Sequence, residues 1–380
     1  MAQDRRPDTA PDFLLSRPHE SVRTQGFRAT YPDPFAAATA LRSGEANLIV
    51  GAIPFDTSLR AALMVPETTI RAEGPLEPPA VYRGKAAATS LQVVDVEAAS
   101  TAEEHAAAVS AAIATINQTR LEKVVLARAV DVHFEDTIDP LLVAARLIDL
   151  SAYRDGFAVD LSVTGREEHA GAMFVGSSPE VLIRKSGANV TAFPLAGSAR
   201  RTGNEDVDRA TARELQRSAK DFHEHKYVVD HYRRVLEPLC SFLEIPDHPQ
   251  VHQTNEMIHL GTSVRGTLSD PSYSALDLAL MLHPTPAIAG MPTDDAIGII
   301  EQVEQPREFY AGAVGWCDAH GDGEYMVAIR CCMVDGDYAR AWAGGGIVAA
   351  SNPEAEAAET TAKLQTALRA LNVPAALREI

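Results

Sequence analysis

The run from Tyr310 to Lys363 limits the fold of this chain more than any other stretch. It reads Tyr310-Ala-Gly-Ala-Val-Gly-Trp-Cys317, then a charged turn from Asp318 to Glu324. Next come Tyr325-Met-Val-Ala-Ile-Arg330-Cys-Cys-Met-Val334 and an Asp335-Gly336 turn. Tyr338-Ala-Arg-Ala-Trp-Ala-Gly344-Gly-Gly-Ile-Val348 follows, and Ser351-Asn-Pro353-Glu354 opens a helix. Asp-Gly between two apolar runs signals a hairpin. Ser351-x-x-Glu354 has the form of a capping box, with Pro353 suited to the first helical position. The spacing predicts three antiparallel strands feeding a terminal helix.

Two features of this unit look chemical. Period-2 alternation places Met326, Ala328, Arg330, Cys332 and Val334 on one strand face, where Arg330 is the single charge. A buried guanidinium needs an anion or a carboxylate for a partner. In the helix, Glu356, Glu359 and Lys363 share one face. Taken alone, a buried salt bridge and a solvated Glu–Lys pair would explain both. The Gly344-Gly-Gly run lets backbone N–H groups approach a bound anion, but no nucleotide-loop signature accompanies it.

The 380 residues exceed one typical domain, and 46% hydrophobic with 23% charged residues is ordinary globular composition. A net charge of −18 argues against nucleic acid and anionic membranes as partners. An anionic substrate would therefore need local cations. Cys240, Cys317, Cys331 and Cys332 form no CxxC, which fits reduced thiols in a cytoplasmic protein. No apolar run approaches a membrane span, and the first residues carry no apolar signal core.

Residues 1–25 are polar with several prolines and read as a loose tail. Residues 26–100 read as short strands with a helix over Pro34–Arg42, forming a weakly characterised N-terminal part. Residues 101–375 carry the chemistry. Thr101 opens a helix through a Thr101-x-x-Glu104 capping box. Leu121-Glu-Lys123-Val-Val-Leu-Ala-Arg is a strand that places Lys123 beside an apolar surface. Such desolvation favours the neutral, basic form of a lysine. Glu180 follows Ser177-Ser-Pro at the start of a buried strand, an environment that raises a carboxyl pKa and makes a general acid. Leu195-Ala-Gly197-Ser198-Ala reads as a small-residue turn. Asp206 to Leu243 reads as one long helix, in which His223 and His225 diverge too far to share an ion, leaving Glu224 as either a hard-cation ligand or an ordinary solvated helix charge. His259 sits on a strand. His283-Pro-Thr-Pro286-Ala287-Ile288-Ala-Gly290 forms a stiff apolar loop.

In this order the motifs resemble the chorismate-utilising enzymes, which include isochorismate, salicylate, anthranilate and aminodeoxychorismate synthases. The likeness covers Thr101 to the C-terminus. It rests on Lys123-Val-Val-Leu-Ala-Arg, Gly176-Ser-Ser-Pro-Glu180, Pro194-Leu-Ala-Gly-Ser-Ala-Arg-Arg, His223-Glu-His and His283-Pro-Thr-Pro-Ala-Ile-Ala-Gly. Tyr310-Ala-Gly-Ala-Val-Gly-Trp, Ala328-Ile-Arg330, Ala343-Gly-Gly-Gly-Ile-Val and Glu356-x-x-Glu359-x-x-x-Lys363 complete it. The resemblance implies an α/β fold, one large two-lobed domain of mostly antiparallel sheets surrounded by helices.

It also implies roles. Lys123 matches the general base that activates water, and Glu180 the acid that protonates the departing C4 hydroxyl of chorismate. Glu224 and Glu359 match Mg²⁺ ligands, with Glu356 in direct or water-mediated support. Arg330, Tyr310, Gly344 and Lys363 match positions that hold substrate carboxylates. His259, Gly197, Ser198, Ala287 and Ile288 match further substrate-side positions. Ammonia-using relatives carry threonine at the place of Ser198 and need a glutamine amidotransferase, which is not expected here. Salicylate synthases carry threonine at the place of Ala287. The expected activity is thus isochorismate synthase of the siderophore (2,3-dihydroxybenzoate) or salicylate pathways, acting as a monomer. The alternatives are a salicylate synthase or another chorismate-utilising enzyme, and, from another class, a non-catalytic protein that binds a small dianion.

Overall fold

The computed structural model describes residues 10–83 and 89–378. Among them are 20 strands and eight α-helices. Seventeen strands belong to one extended sheet system, and the Leu195–Arg200, Met257–Gly261 and Gln250–Gln253 strands form a second, small sheet. The strand pairings among the described residues are antiparallel, as expected for a chain rich in hairpins. The long Lys123–Phe134 and Tyr338–Val348 strands pair along their whole length, with Lys123 opposite Val348 and Ala127 opposite Gly344. This pair stands between two hydrophobic cores. Val124, Leu126, Trp342 and Ile347 enter one, while Val130, Val132, Ala339 and Ala341 enter the other. The Pro353–Ala370 helix packs on the Tyr338–Val348 strand and contributes Leu364 and Leu368 to the second core.

Local signals set several boundaries as expected. Thr101 forms its capping box with Glu104. Asp33 and Asp139 cap helices that begin at Pro34 and Pro140, where proline's missing N–H costs nothing.

Other expectations are corrected. Residues 1–9 of the expected tail lie outside the described residues, but Phe13–Ser16 and Glu20–Tyr31 are strands rather than loose chain. Phe13–Ser16 pairs with Gly156–Asp160, and Phe13, Leu15 and Val22 are buried. Full burial of each contributes on the order of 1.5–3 kcal/mol, which orders a segment whose own composition argues otherwise. The helix read over Asp206–Leu243 is two helices, Glu205–Leu215 and Ala219–Leu236, followed by a Cys240–Glu244 strand. Ser218 starts the second helix by accepting from the Asp221 N–H. Leu195 to Arg200 is a strand rather than a turn. Its register shifts between Leu195 and Ser198, where Gly197 takes φ 77°. The terminal helix is capped by Asn352, not Ser351. The hairpin turn centres on Gly336 and Asp337, with Gly336 at φ 60° as a type II′ turn requires of its first residue.

Candidate active site

The break at Arg330 explains how the site is built. Instead of one strand from Tyr325 to Val334, the chain forms Gly323–Val327 and Cys331–Asp335 strands with Arg330 between them at φ 53°. The expected alternation therefore does not pass through Arg330. A left-handed arginine costs on the order of 1–3 kcal/mol and persists only where its surroundings fix it. Here the backbone is held by the Ser177 N–H donating to Arg330 O. Arg330 is 6% exposed and its side chain faces inward. No ion pair reaches it among the described residues; its Nη2 donates to His259 Nε2 at 3.3 Å. Burial, reinforced by the neighbouring Arg330 charge, drives the His259 pKa well down, so the ring is neutral and its Nε2 free to accept.

Around Arg330 lies a cavity of about 690 Å³. Glu180, Gly197, Ser198, His259, Ala287 and Ile288 line it, together with Tyr310, Arg330, Gly344, Lys363, Glu224 and Glu359. The sequence-predicted residues thus converge, apart from two that stand just behind the wall. Lys123 is completely buried, with Nζ 3.2 Å from Glu224 Oε1. That is an ion-pair distance, but the alignment is wrong for a hydrogen bond, and Nζ has no hydrogen-bond partner among the described residues. Glu356 donates no oxygen to the cavity wall; its Oε1 accepts from Lys220 Nζ at 2.6 Å.

The glycines of the Tyr338–Val348 strand make room for this. A β-carbon on Gly346 would stand 2.1 Å from Glu224 Oε1 and 2.9 Å from Lys123 Cε. One on Gly344 would meet the Tyr310 hydroxyl at 2.9 Å. The Gly344–Gly346 run is therefore the floor on which the lysine, the glutamate and the tyrosine rest.

Glu180 and Glu359 occupy opposite electrostatic settings. Burial raises the Glu180 pKa to about 7, against the weaker pull of the Leu195 N–H, Lys123, Lys363 and Arg330. Burial also works against ionising Glu359, but Lys363 and the Ser198 hydroxyl outweigh it and hold the carboxyl below the ordinary range. Lys363 Nζ stands 2.6 Å from Glu359 Oε1 and donates to Gly344 O at 2.9 Å. Ser198 Oγ donates to Glu359 Oε1 at 2.7 Å.

Two supports were not foreseen from the sequence. His225 Nδ1 faces the Ala196 carbonyl at 3.1 Å, which can only accept, so Nε2 must accept from Thr262 Oγ1 at 2.7 Å. Neutral His225 thereby ties the Ala219–Leu236 helix, beside Glu224, to the bulged strand bearing Ser198. Trp342 stacks on Tyr310, with ring centroids 6.0 Å apart at 9°. The His-Glu-His string pointed to the histidine; the contacts with Ala196 and Thr262 are too distant in sequence to read.

Glu224, Glu359 and, behind them, Glu356 supply only hard oxygens, while His259, the ring that lines the cavity, is engaged with Arg330. Among the described residues no three His, Cys, Asp or Glu side chains form a ready metal cage. A donor set of this kind fits Mg²⁺, which takes one or two protein carboxylates and completes its shell with water and substrate oxygens.

A family model for chorismate-binding enzymes matches residues 79–372. The chain belongs to the chorismate-binding enzyme family. Similar proteins include the provisionally named isochorismate synthase MenF of Mycobacterium tuberculosis, 44% identical over 374 residues and covering 96% of each chain. Isochorismate synthase DhbC of Bacillus subtilis is 37% identical, across 95% of this chain and 94% of that protein. Among solved structures, Bacillus anthracis DhbC, provisionally described as a 2,3-dihydroxybenzoate-specific isochorismate synthase, superposes with a TM-score of 0.87. It is 33% identical and covers 98% of both chains. The mixed α/β architecture with large antiparallel sheets is the chorismate-binding enzyme fold. No described helix of this family member is long and apolar enough to cross a membrane.

Proposed function

We propose that this protein is an isochorismate synthase, an isomerase that adds water at C2 of chorismate and expels the C4 hydroxyl as the ring double bonds shift. The observation that carries the reading is one cavity that brings together Glu180, whose carboxyl pKa burial pushes up to about 7, a buried Arg330 without an ion pair among the described residues, and the Lys363–Glu359 pair. Likeness to named isochorismate synthases over nearly the whole chain supports the same activity. Lys123 takes a proton from the incoming water, and Glu180 gives one to the departing hydroxyl, so no atoms are gained or lost overall. Each contributes about 10²–10⁴-fold. Arg330 and Lys363 hold substrate carboxylate, which is how a chain of net charge −18 binds a dianion. Glu224 and Glu359, with Glu356 in support, would hold Mg²⁺, which when bound offsets carboxylate charge on the substrate. Ser198 orients Glu359, and Ala287 with Ile288 shapes the wall against the ring.

Four free cysteines support a reducing, cytoplasmic setting. The product would enter 2,3-dihydroxybenzoate or salicylate formation, on the likeness to DhbC, and the enzyme would act as a monomer.

The test is incubation of purified protein with chorismate and Mg²⁺, without an amine donor, and chromatography of the products. Isochorismate alone, lost on adding EDTA, is expected. Salicylate with pyruvate would overturn the subtype, and intact chorismate would overturn the activity.

A further inference from the structure

One side chain ties three separate parts of the cavity wall together without lining the cavity itself. Arg307, 4% exposed, lies in the connection before Tyr310. Its Nε and Nη2 donate to the two carboxylate oxygens of Glu304 at 2.7 and 2.8 Å. Its Nη1 donates to Ile288 O at 2.7 Å, and Nη2 also to Val125 O at 2.8 Å. The guanidinium lies 4.6 Å from the Phe55 ring centroid and 5.9 Å from that of Tyr310. Glu304 extends the clamp by accepting from the Ala127 N–H at 2.7 Å. Val125, Ile288 and Tyr310 all line the cavity, from a strand, a loop and a third connection. On its other side the Arg307–Glu304 pair lines an open groove of about 1270 Å³.

We propose that Arg307 is a positioning residue that sets the width of the chorismate cavity and keeps it separate from this groove. It acts through Val125, Ile288 and Tyr310. Only a guanidinium meets the geometry: a planar fork reaches two backbone carbonyls and a bidentate carboxylate at once, whereas an ammonium is a point donor. The carbonyls it satisfies would otherwise be wall atoms without a partner, and each would draw water or shift. Lys123 lies two residues from Val125 but has its own backbone pairing with Val348 and Met291. Loss of the fork should therefore loosen substrate fit more than proton transfer.

The inference rests on the cavity being the chorismate site, so wild-type turnover and wild-type chorismate binding by calorimetry come first. If the wild type neither turns over nor binds chorismate, the activity reading fails at that step. With a working wild type, Arg307→Lys should raise KM for chorismate roughly tenfold or more, with kcat within about threefold. Glu304→Gln keeps the shape and weakens the clamp, so it should move KM in the same direction by a smaller factor. It decides the matter if Arg307→Lys does not fold. Unchanged KM in Glu304→Gln, or a lowered melting temperature with wild-type KM in Arg307→Lys, would make the pair a mere structural strut and overturn the proposal. A fall in kcat alone would overturn it as well.

Discussion

Glu180 and Glu359 are the same residue type in the same cavity, yet their pKa values are pushed in opposite directions. Glu180 accepts one long backbone hydrogen bond, from Leu195 at 3.3 Å, and burial dominates its titration. Glu359 is less deeply placed, with its side chain 17% exposed, and has an ammonium at 2.6 Å and a hydroxyl at 2.7 Å, and these overcome its burial. Close donors and shallower burial together favour Glu359 as an anion, while depth with one long donor favours Glu180 as an acid.

The contrast can be broken at several points. Glu180→Gln removes the transferable proton without changing shape, and Lys123→Ala removes the acceptor. Each should lower kcat by about 10²–10⁴-fold while chorismate still binds, which steady-state kinetics with calorimetry would reveal; wild-type turnover in either variant cancels its assigned role. Glu359→Gln should raise the Mg²⁺ concentration for half-maximal activity by roughly 10²-fold, and Ser198→Ala by about tenfold through the lost orienting bond. A Mg²⁺ titration that does not move would take Glu359 off the ligand set.

The raised Glu180 pKa has a stability consequence. Below the ordinary glutamate value, folded and unfolded chains both hold this proton. As pH rises, the unfolded chain releases it first, so folding is progressively penalised until about pH 7, where the folded group ionises too. Glu180→Gln should therefore be more stable than wild type by about 3 kcal/mol at pH 8 and nearly equal to it at pH 4, in denaturant titrations. In the active wild type the same group should give kcat/KM an alkaline limb near pH 7 that a neutral amide lacks the chemistry to reproduce. Equal stability at pH 8 would mean that Glu180 is not dry. The smallest effect is expected from Ala287→Thr, a few-fold rise in pyruvate and salicylate relative to isochorismate; an unchanged ratio would remove Ala287 from the specificity wall.

The sequence indicated which residues share one cavity more fully than it indicated the path of the chain. Lys123, Glu180 and Arg330 stand out as charges within apolar segments, whereas Glu224 and Glu359 lie on polar helices and are named through the family resemblance. The interruption at Arg330 could not be read, since its left-handed backbone is imposed by neighbours and the local pattern is strand throughout. Phe13–Ser16 is ordered by partners near Gly156, and Leu195–Arg200 becomes a strand because Met257–Gly261 pairs with it. The Arg307 clamp is likewise invisible locally: its acceptors Val125 and Ile288 are backbone carbonyls, which no residue type announces.

The cluster around the Gly344–Gly346 floor has a further consequence when counted as charge. With Lys123 in the base form that its proposed role requires, Glu224, Glu356 and Glu359 are balanced by Lys220, Lys363 and the Arg330 guanidinium, so three anions and three cations cancel. A lone dication or a lone dianion entering this neutral enclosure leaves two charges uncompensated in a poorly hydrated space. Entering together, they leave none. On the proposed reading, Mg²⁺ and chorismate are each other's counterion. Thermodynamic reciprocity then requires each to tighten the other by the same factor, and the free protein should have little hold on either one alone.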